Sequence, residues 1–312
     1  MLDFEASIRP LQQELDETRR KSGANGSTPR EEQLQSALDR RLREIYSDLS
    51  PWQQVQVARH RERPYTLDYL QWSFSEFVEL RGDRNYADDR AIVGGPALLN
   101  GRTVMVIGHQ KGRDTRENVD RNFGMARPEG YRKAERLMRQ AERTGMPVVT
   151  MVDTPGANAG LEDEERGQAE AIASCIATML SVRVPCVAIV IGEGGSGGAL
   201  ALAVGDRLIM LEHSIFTVAS PEAAAAILWR DALKAPEAAE IMRITASDLR
   251  ELGLADVIIP EPPGGAHRDH AGAAAAVAAQ LEETLAELTR LPTDELLSQR
   301  YHKYRDIPYF GE

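Results

Sequence analysis

Cysteine is nearly absent from this 312-residue chain: only Cys175 and Cys186 occur. Two thiols cannot make a disulfide framework or a four-cysteine zinc site, and their scarcity suits a reducing cytoplasm. No apolar run reaches about 18 residues, so no membrane span is expected. The start, Met1-Leu2-Asp3-Phe4-Glu5, is acidic and lacks the long apolar stretch of a secretory signal. The six histidines include no His-Glu-x-x-His spacing. His267 and His270 sit three apart without obvious further ligands, so no metal site is expected. Positive charge is in deficit too. A net charge of −11 argues against a general nucleic-acid binder and leaves room only for a local basic patch. No repeat of fixed short period occurs.

What is present is ordinary for a globular protein: 42% hydrophobic and 27% charged residues. The length allows one large domain with appendages or two modest ones. Residues 10–21 read as a helix with Leu11, Leu15 and Thr18 on one face. Residues 22–29 read as a flexible loop. A second helix over 31–48 carries Leu34, Leu38, Leu42, Ile45 and Leu49, so the two are expected to pair as a packing or docking arm. Ser50-Pro51 can cap a further helix at Trp52. Residues 66–80, with Leu67, Leu70, Trp72, Phe74, Phe77 and Val78, read as another helical stretch.

The character then changes. Asn100-Gly101 between two apolar runs predicts a hairpin. Strands and helices alternate afterwards. A strand over 147–152 ends at Asp153-Thr154-Pro155-Gly156-Ala157, and a helix follows over about 164–181. A buried strand over 184–191 leads into a glycine turn and a buried helix from Ala199. Short strands are expected over 207–211, 214–218 and 256–260, and an alanine-rich helix from Pro221 to Trp229. After Pro262-Pro263-Gly264-Gly265 comes a final amphipathic helix over 271–290. The division expected is a helical region over 1–90, an α/β core over 91–265 and a helical extension over 266–312.

The glycine turn, Gly192-Glu193-Gly194-Gly195-Ser196-Gly197-Gly198, fits several chemistries. Gly192-x-Gly194-x-x-Gly197 is a dinucleotide-binding pattern, with Glu212 about 20 residues on. Gly195 and Gly198 are extra, and the motif is not in a first βαβ unit. Gly194-x-Ser196-x-Gly198 is a literal nucleophile elbow, which would make Ser196 a hydrolase nucleophile served by Asp206 or Asp256 and His267 or His270. A phosphate loop is excluded, since no Gly-Lys-Ser or Gly-Lys-Thr closes the turn. An oxyanion hole is the third reading. Backbone N–H groups of Gly197 and Gly198 would hold a developing negative charge, with Gly156 and Ala157 as weaker contributors from the preceding strand. Plain close packing of helix on strand through glycine is the alternative to all three.

Basic residues crowd between Lys111 and Arg143. Lys111, Arg113, Arg116, Arg132 and Lys133 could meet phosphates or acidic partner surfaces. The plain alternative is surface ion pairing, for example Lys133 with Glu129 one helical turn away.

Many ordered blocks of this chain are familiar. They include Arg63-Pro64-Tyr65-Thr66-Leu67-Asp68-Tyr69, Gly108-His109-Gln110-Lys111-Gly112, Asn122-Phe123-Gly124-Met125 and Pro128-Glu129-Gly130-Tyr131-Arg132-Lys133-Ala134. Asp153-Thr154-Pro155-Gly156-Ala157, Glu164-Glu165-Arg166-Gly167-Gln168, the glycine turn itself and Ser220-Pro221-Glu222 continue the series. With these the chain closely resembles the alpha subunits of bacterial acetyl-coenzyme A carboxylase carboxyltransferase. The resemblance implies a crotonase-like superhelix of ββα units with helical extensions at both ends. It implies transfer of the carboxyl group of carboxybiotin, carried on a biotin carboxyl carrier protein, to acetyl-coenzyme A, giving malonyl-coenzyme A for fatty acid synthesis. It implies a beta subunit bearing a zinc ribbon, an α2β2 heterotetramer, a biotin carboxylase partner and a cytoplasmic setting. The oxyanion role falls on Gly197 and Gly198, and Gly194, Gly195 and Asn158 would line the biotin side. One departure is plain. The family usually has a Tyr-Pro pair after the alanine of the first turn; here Asn158-Ala159 remove that aromatic surface.

Overall fold

The computed structural model describes residues 2–22 and 28–307; residues 23–27 of the expected loop lie outside the described residues. A short 3-10 turn leads into α1 (Arg9–Ser22), α2 (Pro29–Tyr46), α3 (Pro51–Ala58) and α4 (Thr66–Ser73). Thr28 and Ser50 cap α2 and α3. Their hydroxyls accept the N–H of Glu31 at 3.3 Å and of Gln53 at 3.2 Å, and proline opens each helix. Leu15 of α1 and Leu34, Leu38 and Leu42 of α2 bury one shared cluster, as their helical spacing predicts.

The hairpin is present as β1 (Ile92–Leu99) and β2 (Arg102–His109). Asn100 at φ 43° and Gly101 at φ 83° form its turn; two left-handed residues match the twist of the flanking strands. Then come α5 (Thr115–Asp120), α6 (Pro128–Thr144), β3 (Val148–Thr154), α7 (Leu161–Glu165), α8 (Gln168–Ser181) and β4 (Cys186–Gly195). A five-residue α9 (Ser196–Leu200) precedes β5 (Arg207–Leu211) and β6 (Ile215–Thr217). The chain ends with α10 (Pro221–Trp229), α11 (Ala235–Met242), α12 (Ala246–Glu251), β7 (Val257–Ile259), α13 (His270–Leu288) and α14 (Thr293–Arg305).

The sheet order is β1-β2-β3-β4-β5-β7, with β6 paired to the far end of β4, and every pairing after the hairpin is parallel. Both faces of this sheet are covered, which is why its strands read as continuous apolar runs. In β4, Cys186, Ala188 and Val190 face the layer of α6 and α8. Val187, Ile189 and Ile191 face the layer of α4 and α13. Cys175 and Cys186 are both fully buried and unpaired, and burial pushes the Cys186 thiol up to about 12, so neither is a reactive thiolate.

Four sequence expectations change. The helix over 66–80 stops at Ser73. Beyond it the chain runs extended along the free edge of β1, where the Val78 N–H donates to Pro96 O (3.0 Å) and the Leu80 N–H to Gly94 O (2.8 Å). Gly95 permits that approach, since a Cβ there would lie 1.9 Å from Val78 O. The helix over 164–181 is two helices, broken at Gly167, whose φ of 82° no helix accommodates. The helix after the glycine turn is only five residues long. The helix over 271–290 is not final: α14 follows. Its buried Arg300 donates to Asp206 twice at 2.8 Å and to the Met179, Val182 and Val184 carbonyls, clamping α14 to the end of α8 and the start of β4.

Candidate active site

β3 and β4 are parallel neighbours, so both glycine turns emerge at the same edge of the sheet, where α/β folds bind ligands. A register shift between Val152 and Thr154 sets Thr154 opposite Gly194. The turns then touch. A Cβ on Gly195 would lie 2.1 Å from Pro155 O, and one on Gly198 would lie 2.4 Å from Ala157 N. Any side chain at either position would drive the turns apart.

The donors differ in availability. Among the described residues, the N–H groups of Gly197 and Gly198, in the first turn of α9, have no hydrogen-bond partner, and neither has Ala157 N–H. Gly156 N–H is engaged, donating to Thr154 Oγ1 at 3.1 Å. Gly194 and Gly195 are buried at the end of β4, paired with Phe216 and Thr217 of β6. Asn158 acts as a strut: its N–H donates to Ala126 O (3.0 Å), its carbonyl accepts from Gln168 Nε2 (2.8 Å), and its side-chain amide bonds Asp163. Because α9 is so short, the cradle owes little to a helix dipole and acts through local amides.

Behind the second turn lies an ionic network that sequence reasoning missed as a unit. Lys111 Nζ meets Asp153 Oδ1 at 2.6 Å and Glu193 Oε2 at 3.7 Å; Glu193 N–H also donates to Asp153 Oδ1, at 3.0 Å. Arg59 bridges Glu193 and Glu222, each at 2.6 Å. Burial works against the Lys111 charge, but Asp153 and Glu193 more than offset it and hold its pKa above the ordinary lysine value. Arg63, fully buried, donates to Ile191 O (2.7 Å) and pairs with Glu261. The sequence signal was an acid beside each glycine turn, Asp153 before one and Glu193 within the other.

Of the other basic candidates, three are also engaged and Arg116 is exposed. Arg113 pairs with Asp68 and lies 4.0 Å from the Tyr65 ring centre, and Arg132 pairs with Asp83 at 2.9 Å. Lys133 does not meet Glu129. It reaches Asp88 at 2.6 Å and the Asp89 carbonyl at 2.7 Å, while Glu129 holds Arg132 and Arg166. Lys133 points into the protein, so the one-turn pairing cannot form.

Two groups lie beneath the turns. His109, at the end of β2, is wholly buried and neither ring nitrogen has a hydrogen bond. Burial lowers its pKa to about 4, the nearby Asp153 charge only partly opposing this, so the ring is neutral at pH 7. Tyr131 of α6 is also wholly buried, and its hydroxyl, without a partner, lies 2.8 Å from where a Gly198 Cβ would sit.

The hydrolase constellation is not assembled. Ser196 is exposed, in a left-handed turn at φ 52°. Asp206 is committed to Arg300, and Asp256 to Lys303 and the Leu208 N–H. His267 stacks on His60 with ring centres 4.0 Å apart, and His270 Nε2 lies 2.6 Å from Glu62 O. The dinucleotide reading fares no better: the Glu212 carboxylate accepts the Glu261 N–H at 2.9 Å. A cavity of about 580 Å³ lies away from the turns, between α1, α2 and the 262–269 loop.

Comparison with known proteins agrees with this geometry. Residues 1–308 match the family model described as "Acetyl co-enzyme A carboxylase carboxyltransferase-like". The acetyl-coenzyme A carboxylase carboxyl transferase subunit alpha of Geobacter metallireducens is 53% identical over 312 residues, covering 100% of this chain and 98% of the relative. That of Halalkalibacterium halodurans is 54% identical over 312 residues, covering 99% and 96%. Among solved structures, transcarboxylase 12S with methylmalonyl-coenzyme A bound is 20% identical with a TM-score of 0.55, over 70% of this chain and 41% of that one. A Pseudomonas malonate decarboxylase hetero-tetramer with coenzyme A is 21% identical with a TM-score of 0.56, over 69% and 86%. These likenesses show the fold, which is the crotonase-like α/β architecture. With residues 1–308 matched by the family model and relatives more than 50% identical along its length, this chain is a member of the acetyl-coenzyme A carboxylase carboxyltransferase alpha-subunit family.

Proposed function

We propose that the paired glycine turns stabilise the oxygen anion formed as a biotin carried by a partner protein gives up its carboxyl group to acetyl-coenzyme A. The carrying observation is that half-buried Gly197 and buried Gly198 offer adjacent N–H groups with no hydrogen-bond partner among the described residues. Departure of the carboxyl group leaves negative charge on the ureido oxygen of biotin. Fixed amides stabilise that charge without reorganising, and one such donor is worth on the order of 3 kcal/mol. The donor set fits an anionic carbonyl oxygen: N–H groups only, with no carboxylate among them. Ala157 N–H is a further donor; the Gly156 N–H is spent on Thr154 Oγ1. Gly194, Gly195 and Asn158 shape the biotin side from behind.

No side-chain nucleophile is required. The freed biotin nitrogen removes the α-proton of acetyl-coenzyme A, and the resulting enolate attacks carbon dioxide to give malonyl-coenzyme A. The 91–265 core carries this chemistry, flanked by the 1–90 and 266–312 regions. A beta subunit with a zinc ribbon supplies the coenzyme A side in an α2β2 assembly, served by biotin carboxyl carrier protein and biotin carboxylase in the cytoplasm. The test is malonyl-coenzyme A formation by this chain alone, and with a beta subunit and biotinylated carrier. Activity is expected only from the mixture; full activity from the lone chain would overturn the shared site.

A further inference from the structure

We propose that Tyr131 is a positioning residue for the oxyanion cradle, its hydroxyl setting the spacing between the two glycine turns. The inference rests on the reading of those turns given above. Tyr131 projects from the first turns of α6, an element outside both strands that carry the donors. Its hydroxyl lies beside Gly198, on the side where that residue abuts the Gly156–Ala157 peptide. A Cβ on Gly198 would lie 2.4 Å from Ala157 N, 2.6 Å from Gly156 C and 2.8 Å from Tyr131 Oη. All three groups border Gly198, and Tyr131 is the only side chain of the three.

That hydroxyl is wholly buried and makes no hydrogen bond. A buried, unpaired hydroxyl costs stability, and phenylalanine would fill the same space without the cost. For packing alone, Tyr131 is therefore the poorer choice. The gain lies in what an O–H can do when the turns carry charge. The Gly156 carbonyl accepts from Thr154 Oγ1 at 2.7 Å and keeps a second lone pair. The Tyr131 hydroxyl does not donate to it in this structure; doing so once an anion occupies the cradle would polarise the Gly156–Ala157 peptide and strengthen its N–H toward the oxyanion. Tyr131 lies behind the backbone and touches no reacting atom. Burial raises its pKa far above the ordinary tyrosine value, so it remains a neutral donor.

The decisive variant is Tyr131→Phe, assayed as the complex with the beta subunit and beside Gly198→Ala. Tyr131→Phe is expected to lower kcat about tenfold, to leave KM for acetyl-coenzyme A unchanged, and to melt at the same temperature or higher. A purely structural role predicts the opposite pairing, a changed melting temperature with kcat intact, and would overturn the proposal. Loss of activity in Gly198→Ala with full activity in Tyr131→Phe would sink the role of Tyr131 and leave the cradle standing. Full activity in both folded variants would remove the cradle, and this proposal with it.

Discussion

Replacing Gly198 by alanine tests the cradle most directly. The added methyl carbon would sit 2.4 Å from Ala157 N and 2.6 Å from Gly156 C, whereas ordinary contact begins at 3.4 Å. Both obstacles are backbone atoms, so no rotamer change relieves them. The turns must separate by about 1 Å, a shift that typically costs catalysis around 100-fold when donor and charge are misaligned. Loss of a donor outright would cost about 10²- to 10³-fold. Gly198→Ala should therefore lower kcat about 100-fold, with KM for acetyl-coenzyme A within about threefold, because the change acts on the transition state. Overpacking of this kind should also cost about 1–3 kcal/mol of stability. Malonyl-coenzyme A formation with the beta subunit, alongside thermal melting and co-purification with that subunit, measures all three. A variant that folds, assembles and turns over within threefold of the parent would refute the reasoning.

Ser196→Ala should retain kcat within about threefold, and a serine-directed fluorophosphonate should not label the parent; labelling at Ser196 would revive hydrolase chemistry. Arg300→Met should destabilise the protein by about 3–5 kcal/mol in denaturant titration, because Asp206 would keep a buried charge without its cation; a loss under 1 kcal/mol would show that α14 is dispensable to the core. Lowering the pH should erode stability between about 6.5 and 4. His109, with its pKa held near 4 by burial, stays neutral in the folded protein while the unfolded side chain protonates near 6.5. The unfolded state thus binds the extra proton, and the term grows to about 3 kcal/mol at the acid end. His109→Asn should flatten that slope in urea titrations at stepped pH, and an unchanged slope would mean that the ring is not buried neutral.

Much of this was legible in the sequence. The α3 cap, the Asn100-Gly101 hairpin and the buried strands all rest on local chemistry, and the structure carries each. The expected helix over 66–80 failed because apolar residues there do not report shape: Phe77 packs on the core from an extended edge segment, and Val78 is exposed. The single helix expected over 164–181 failed for a different reason. One left-handed residue outweighs an otherwise helical pattern.

At the site, sequence order could name Gly197 and Gly198 but could not exclude Ser196, since that decision depends on residues far along the chain. Asp206, Asp256, His267 and His270 are each committed elsewhere, and only the folded chain reveals those commitments. Likewise Asp153 and Glu193 are forty positions apart in the chain yet share Lys111.

The sequence by itself determined where the chain can turn sharply and which strands are buried, because glycine's freedom and apolar run length are local properties. Only the tertiary structure decided that the two turns abut, that Gly156 N–H is spent on Thr154 while Gly197 and Gly198 remain available, and that Tyr131 stands beneath them. Those outcomes depend on strand register and on which neighbour takes each hydrogen bond, and both are fixed only when distant segments pack together.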